Sequence, residues 1–175
     1  MTPVKSSKTD PQILEMPPQK MAVVHAKGAP DKVFPEFMPA LYGSVYTLKS
    51  DLKQQGRPTS KVSGLRGRYP DAHLVPKEAW TMMLGLPIPE DTTALPQKVP
   101  GITVGIEEWR YGMVGQILHL GTCDQEGPNV ERLQGFITDS GYEIAGDHEE
   151  EYLTTPDAKV VKTLIRYEVK KKQPS

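Results

Sequence analysis

The residues best suited to chemistry lie in a charged segment, residues 141–156, near the carboxyl end of the sequence. Its central five positions, Asp147–Glu151, hold four carboxylates and one imidazole, flanked by β-prone Tyr and Ile. Successive side chains of a β-strand face opposite ways. A strand here would place His148, Glu150 and Tyr152 on one face, and Glu149, Glu151 and Leu153 on the other.

Two interpretations of this segment are open. A solvated edge strand would expose all of its charges. Alternatively, Glu150 and Tyr152 point into a ligand pocket, with Glu149 and Glu151 as surface residues. In an apolar pocket, burial would raise the pKa of Glu150. Glu150 could then accept an amine's charge or act as a general acid or base, with Tyr152 or Tyr111 as the second group.

Aromatic side chains supply the other candidates for a ligand site. Trp80 and Trp109 are either core residues or platforms for a cationic aromatic ligand, which the faces of aromatic rings attract. Tyr46 is either a core residue or part of a pocket wall. His119 is either a structural histidine or a ligand-binding residue. Together with Tyr111, these residues complete the predicted binding site around Glu150 and Tyr152.

Composition excludes several classes of function. A net charge of −1 over 175 residues favours neither nucleic acid nor an anionic membrane as a partner. The four His are scattered and have no metal-ligand spacing with the single Cys123, so we expect neither a metal nor another cofactor. The sequence has no apolar run long enough for a membrane span and no apolar signal core. We therefore expect a cytoplasmic protein.

Periodicity predicts the elements that position these residues. Apolar residues three or four apart predict helices over 33–55 and 128–140, and Gly141 can end the second. Residues 57–76 are predicted to be irregular. Residues 1–12 are predicted to be disordered, and residues 171–175 form a basic tail. The order of hairpin, helix and two strands recurs, predicting one domain (13–170) of two repeats, about 13–88 and 102–170.

A short internal match supports the repeat. Superposing residues 13–28 on 106–121 aligns Ile13 with Ile106 and Glu15 with Glu108, and also pairs two glycines. We therefore predict an α+β fold of tandem duplicated strand-helix-strand-strand units. They would form a long antiparallel sheet with both helices on one face and a ligand groove at the pseudo-twofold seam.

The sequence between about Met21 and Lys170 resembles the GyrI-like small-molecule-binding domains, which also serve as effector domains of AraC-type and MerR-type multidrug-sensing regulators. The order and spacing of several motifs carry the resemblance. They are Leu41–Lys49, Gln116–Gly121, Glu126–Leu133, Gly141-Tyr142, Gly146, Glu150–Leu153 and Thr163–Tyr167.

The resemblance implies a pocket lined by aromatic residues around one acidic residue, which falls on Glu150. Some standalone relatives hydrolyse strained cyclopropane-bearing natural products with such a glutamate and neighbouring aromatic residues. Those relatives carry Gly-Leu-Trp-Trp after the first helix, whereas here Gly64-Leu65 is followed by Arg66-Gly67. This departure bears on the hydrolase activity and not on the binding fold.

Three functions follow as hypotheses. The first is a standalone protein that binds amphipathic, aromatic or cationic compounds around Glu150. The alternative is a hydrolase of ring-strained, cyclopropanoid xenobiotics that uses Glu150 and Tyr152. The third is an interaction with a protein partner, such as the gyrase inhibition for which the family is named. We expect no DNA-binding helix-turn-helix in this chain, so the protein should not bind nucleic acid by itself. Its partner in these hypotheses is a small molecule or another protein.

Overall fold

A computed structural model describes residues 9–174 of the chain, which fall into two compact units. One unit comprises residues 18–110, and the other comprises residues 111–174 together with the amino-terminal residues up to Pro17. Most of the predicted disordered segment, residues 1–8, lies outside the described residues, as does Ser175 of the predicted basic tail.

The described residues form two α-helices, two short 3-10 helices (Lys77–Ala79 and Cys123–Gln125) and nine strands. The α-helices are α1 (Pro30–Gln54) and α2 (Gly127–Asp139). The strands are β1 (Gln12–Met16), β2 (Gln19–Lys27), β3 (Leu65–Tyr69), β4 (Thr81–Pro87), β5 (Gly105–Trp109), β6 (Gly112–Leu120), β7 (Tyr142–Ile144), β8 (His148–Tyr152) and β9 (Lys162–Lys171).

In the unit of residues 18–110, α1 packs against an antiparallel sheet with strand order β3-β4-β2-β5. The helix has a buried stripe that includes Leu41, Val45 and Leu52, as the three-to-four spacing predicts. It begins at Pro30, earlier than predicted, because a proline fits the first helical position without losing a needed N–H. Pro35 and Pro39 lie within it.

The other unit has the same arrangement, with α2 against strands in the order β1-β6-β9-β8. Its core combines two α2 residues with one β6 residue and three β9 residues: Leu133, Ile137, Ile117, Ile165, Tyr167 and Val169. Helix α2 ends at Asp139, and Gly141 follows its C-cap residue in the terminating role that was predicted. The amide of Gly141 donates to the Thr138 carbonyl, and its φ of +85° is one that glycine adopts readily.

Strand pairing differs from the predicted succession of hairpins. Strand β1 pairs with β6, and β2 pairs with β4 and β5. The strands next to each other in sequence, β1 with β2 and β5 with β6, therefore belong to different units. The superposition of residues 13–28 on 106–121 nevertheless carries β1 onto β5 and β2 onto β6 without any change of length.

Two local predictions are wrong. The stretch 57–76 was expected to be irregular but contains β3, which pairs with β4. The charged segment is two strands rather than one, since β7 and β8 pair with different parts of β9. The break falls where the Ala145 amide donates to the Glu168 carbonyl, and a Cβ at Gly146 would lie 2.9 Å from the Glu168 side chain.

The fold class is confirmed, because each unit packs one helix against an antiparallel sheet in an α+β arrangement. Within residues 9–174, neither helix combines the length and the apolar character that crossing a membrane requires.

Candidate functional site

Glu150 lies inside its unit rather than on a solvated edge strand. It is opposite Ile165 in the register of β8 and β9, and opposite residues of an antiparallel pair project from the same face. That face is the one on which Ile165 and Tyr167 pack against α2. Glu150 is accordingly only 6% exposed, which agrees with the interpretation that its side chain points inward.

Polar neighbours from β8 and β9 surround the Glu150 carboxylate. Its Oε2 atom is 3.5 Å from Nε2 of His148 and accepts a long hydrogen bond, also 3.5 Å, from the Tyr152 hydroxyl. The Tyr167 hydroxyl lies 2.8 Å from Nδ1 of His148. Gln134 of α2 donates to this hydroxyl at 3.5 Å. Alternation along β8 therefore brings together His148, Glu150 and Tyr152, as predicted.

Glu126 supplies a second carboxyl group close to that of Glu150. It occupies the N-cap of α2, where its side chain makes no capping hydrogen bond. Its Oε1 atom is instead 4.0 Å from Nε2 of His148. One ligand atom each of Cys123, Glu126 and Glu150 lies within 4.8 Å of the others. We call Glu126, Glu150, His148 and Tyr152 the carboxyl cluster.

The two carboxyls of the cluster have opposite pKa shifts. Burial, a hydrogen bond with Glu150 and the Glu150 charge raise the pKa of Glu126 to about 9. Burial would also raise the pKa of Glu150, but hydrogen bonds with His148, Glu126 and Tyr152 and the charge of His148 outweigh it and lower that pKa. The sequence predicted a raised pKa for Glu150, but it is the pKa of Glu126 that is raised. At neutral pH, one proton resides on Glu126 beside an ionised Glu150.

The arrangement offers two kinds of chemistry. The ionised Glu150 can balance the charge of a cation, and the protonated Glu126 can donate a proton to a reacting group. Glu126 Oε2 and Glu150 Oε1 are buried, and apart from the proton that the two carboxyls share, neither has a hydrogen-bond donor within residues 9–174. Buried polar atoms in folded proteins normally have partners, so these two oxygens mark a place where a ligand can add contacts.

The opposite face of β8 corrects a prediction. Glu149 and Glu151 were expected at the surface, but Glu149 is buried and Glu151 is nearly so. Both carboxylates accept hydrogen bonds from the buried Arg166 guanidinium of β9, at 3.0 and 2.7 Å. Tyr111 donates to Glu149 at 3.1 Å. Tyr111 therefore lies with Glu149, on the face away from Glu150.

His119 is held by neighbours in its own unit. Its Nε2 is 2.8 Å from the Thr122 carbonyl, and its Nδ1 is 2.8 Å from the Asn129 side-chain amide. The first contact requires a donor on the ring and the second an acceptor, so the network assigns the tautomer with the proton on Nε2. These contacts give His119 a structural role at the start of α2, and its predicted role in ligand binding stays a prediction.

Three of the predicted aromatic residues belong to the unit of residues 18–110. Trp109 is buried, with the Arg68 guanidinium 4.1 Å from its ring centroid. Trp80 is half-buried and donates from Nε1 to the Val75 carbonyl at 3.2 Å. Tyr46 is 52% exposed. Their part in ligand binding stays a prediction.

Sequence reasoning missed Glu126 as a member of the site. Glu126 was recognised only within the motif that opens α2, directly before Gly127-Pro128. A usable signal was available. Glu126 opens one of the motifs that carry the family resemblance and Glu150 opens another, which marks both acidic positions. Its position near Glu150 depends on how β8 packs beside α2, which local sequence does not reveal.

A metal ion is the cofactor that these residues come nearest to holding. Cys123, Glu126 and Glu150 could supply one sulfur and two oxygen ligands, a mixed set that suits a borderline cation such as Zn²⁺. Metal ligands must be deprotonated, so a metal would have to displace the proton that burial keeps on Glu126. The sequence-based expectation of no metal stays a prediction.

Comparison with solved structures establishes the fold. An uncharacterized conserved protein from Listeria innocua matches with a TM-score of 0.82 and 22% identity over 93% of each chain. A structure described as a hydrolase from Listeria innocua matches with a TM-score of 0.77 and 21% identity over 94% of each chain. The EcmrR C-terminal domain matches at 0.62 and 12%, over 93% of this chain and 98% of that one.

No curated protein sequence matches the chain. The profile of the GyrI-like small molecule binding domain, in contrast, matches residues 9–169, which include both units and the whole carboxyl cluster. The resemblance that the motifs indicated is thereby confirmed. The chain belongs to the family of GyrI-like small molecule binding domains.

Proposed function

We propose that this protein binds amphipathic, cationic aromatic small molecules and that the Glu150 carboxylate balances the charge of the bound cation. The observation that carries the proposal is the burial of Glu150 together with its lowered pKa. A buried, ionised carboxylate without a full counter-charge is costly to maintain. Such a group is typical of a functional site, where a ligand completes its environment.

The rings beside Glu150 support an aromatic cation as the ligand. The His148 and Tyr167 rings meet edge to face with centroids 5.3 Å apart, and Tyr152 lies beside them on β8. A cation over an aromatic face gains about 0.5–2 kcal/mol. A carboxylate and several rings together favour ligands that are both charged and flat. Trp80, Trp109 and Tyr46 remain predicted contributors.

Titration with rhodamine tests this function. We expect a Kd of roughly 1 μM, about −8 kcal/mol, from fluorescence anisotropy or calorimetry. Glu150→Gln keeps the shape of the side chain and removes its charge, so it should weaken binding by at least about tenfold, or about 1.4 kcal/mol. Glu131→Gln, an exposed glutamate of α2, is the matched control and should bind like the wild type. Millimolar binding, or equal binding by Glu150→Gln, would refute the proposal.

A second candidate is a hydrolase of ring-strained compounds, and the Glu126–Glu150 pair favours it. As the attacking water forms its C–O bond, a ring C–C bond breaks and its electron pair moves to the conjugated carbonyl oxygen, to which the protonated Glu126 could give its proton. The ionised Glu150 could take a proton from the water that attacks the ring carbon. The net change is addition of water, and the pair is reset by moving one proton from Glu150 to Glu126. The Listeria innocua neighbour described as a hydrolase shares this fold.

Mass spectrometry distinguishes hydrolysis from binding. The protein is incubated with a cyclopropane-bearing genotoxin, and the product with one added water is followed over time. We expect turnover that Glu126→Gln and Glu150→Gln each reduce by about 10²-fold or more, the usual contribution of a positioned acid or base. Binding without Glu150-dependent turnover would leave only the binding function.

A further inference from the structure

The two buried oxygens of the carboxyl cluster define what kind of cation fits. Apart from the proton that the two carboxyls share, Glu126 Oε2 and Glu150 Oε1 lack a hydrogen-bond donor within the described residues. The other oxygen of each glutamate has a polar neighbour. His148 Nε2 lies 4.0 Å from Glu126 Oε1 and 3.5 Å from Glu150 Oε2, and the Tyr152 hydroxyl also lies 3.5 Å from Glu150 Oε2. The open acceptors are therefore one on each glutamate. A ligand that fills both must carry hydrogen-bond donors as well as charge.

We propose that Glu126 and Glu150 together bind the ammonium group of a primary or secondary amine, whose N–H groups donate to the two carboxyl oxygens that lack a donor. This inference rests on the proposed binding function and makes Glu126 a second ligand-binding residue. A quaternary ammonium has the same charge but no N–H. It would leave both acceptors unpaired in a buried setting, which is unfavourable. The site therefore selects N–H cations over permanently methylated ones.

The edge of the cluster beside Cys123 reaches the protein surface. Cys123 is exposed, and its sulfur lies within 4.8 Å of a carboxyl oxygen of both glutamates. The Glu126 side chain is 19% exposed. An amine would approach the pair from the side of Cys123 and Glu126. It would have to displace the Glu126 side chain, because the two acceptor oxygens are themselves buried. A bound ligand would then cover the Cys123 thiol.

Amine binding exchanges one cation for one proton. The proton on Glu126 separates two carboxyls that cannot both ionise easily at this distance. An ammonium group supplies the same separation, so Glu126 ionises and releases its proton as the amine enters. The titratable groups that face Glu126 are Glu150 and His148 of β8 and Tyr167 of β9, with Tyr152 and Cys123 beside them. Affinity for an amine that stays protonated should rise with pH up to about pH 9, the pKa of Glu126.

The test uses two ligands that differ only in N–H groups. They are 2-naphthylmethylamine and its N,N,N-trimethyl analogue, titrated by calorimetry into the full-length protein with EDTA present to exclude metals. We expect the amine to bind at least tenfold more tightly than the trimethyl cation at pH 7. Repeating the titration in phosphate and in MOPS, whose ionisation enthalpies differ and neither of which is a primary or secondary amine, should show release of up to one proton for the amine only.

Cysteine reactivity gives an independent measurement. The chain has one cysteine, so the rate of Cys123 alkylation by iodoacetamide reports on this position alone. Saturation with the amine should slow alkylation several-fold. Saturation with the trimethyl cation should protect less at equal concentration, because that cation does not settle between the two glutamates.

Variants identify the residues involved. Glu126→Gln should abolish proton release and most of the preference for the amine, whereas Glu131→Gln should change neither. Glu126→Asp keeps an ionisable carboxyl and should restore part of both, and circular dichroism confirms that each variant is folded. Equal affinity for the two cations, or binding without proton release, overturns this inference and leaves the proposed function intact. If neither cation nor rhodamine binds, the proposed function fails as well.

Discussion

Arg166 and Glu149 form a salt bridge across β9 and β8 that is almost completely buried. Nη1 of the guanidinium is 3.0 Å from Oε2 of Glu149, and the two side chains are 2% and 3% exposed. Glu151 accepts from Nη2 at 2.7 Å, and Tyr111 donates to the other oxygen of Glu149. Burial would lower the pKa of Arg166, but the two carboxylates outweigh it and raise that pKa. The charges on this face of β8 thus form a buried salt-bridge network centred on Arg166, and the opposite face carries the candidate site.

Glu149→Gln tests the structural role of this cluster. The variant removes one of the two carboxylates that accept from the buried Arg166, and Glu151 remains as its ionic partner. We therefore expect a loss of about 1–3 kcal/mol in the free energy of unfolding, from the weakened buried charge-assisted hydrogen bond, measured by urea denaturation. Glu143→Gln is the control, because Glu143 and Lys170 form an exposed pair worth roughly 0–1 kcal/mol. If the two variants unfold at the same urea concentration, the buried pair is not stabilising.

Gly115 of β6 should be required for the contact between sheet and helix. A Cβ there would lie 2.6 Å from Cγ1 of Ile137, a buried residue of α2. Gly115→Ala should therefore destabilise the protein by about 1–3 kcal/mol through overpacking. Gly135→Ala has open space around its Cβ and lies within α2. It should instead stabilise by roughly 0.5–1 kcal/mol, because alanine favours a helix. Thermal unfolding of both variants checks the contrast, and a stable Gly115→Ala protein would contradict the packing.

Local patterns were sufficient to predict much of the fold. Spacing of three and four residues predicted both helices, since it depends only on which side chains share a helix face. Alternation likewise predicted that Glu150 and Glu149 face opposite ways. The burial of Glu149 could not be predicted from alternation. Whether the second face is solvated depends on Arg166, a residue of another strand that local sequence does not link to Glu149.

Strand pairing and the full candidate site also depend on contacts distant in sequence. Strands β1 and β2 carry the pattern of a hairpin, but nothing in them indicates that β1 pairs with β6 and β2 with β5. Glu126 and Glu150 likewise lie in separate motifs. The shift in the pKa of Glu126 results from burial beside the second carboxyl, so it follows from tertiary packing and not from the identity of either residue.

His119 should matter for stability and not for ligand binding. His119→Leu removes the donor to the Thr122 carbonyl and the acceptor for the Asn129 amide, so we expect a loss of about 1–3 kcal/mol in the free energy of unfolding. Rhodamine affinity, measured below the unfolding transition, should stay within about twofold, less than 0.5 kcal/mol. His73→Leu, at an exposed histidine, should change stability by no more than about 0.5 kcal/mol. A large loss of rhodamine affinity in His119→Leu would indicate that His119 belongs to the ligand site.

The raised pKa of Glu126 predicts how stability depends on pH. In the folded protein Glu126 holds its proton up to about pH 9, whereas in the unfolded chain it loses the proton near pH 4.5. Between these values the folded state binds more protons than the unfolded state, so stability must fall as pH rises. The slope for one proton is at most about 1.4 kcal/mol per pH unit. Glu150 acts in a different window, because its pKa is lowered from 4.5. The stability that it contributes is complete above that value and is lost as pH falls through its folded pKa.

Glu126→Gln isolates this effect, since an amide has no proton to lose in this range. Urea unfolding at intervals from pH 5 to pH 9 should show wild-type stability declining relative to the variant, with the two curves diverging as pH rises. Parallel curves would mean that Glu126 ionises normally in the folded protein. The two carboxyls would then share no proton, and neither proton release on amine binding nor proton donation to a strained ring could proceed through Glu126.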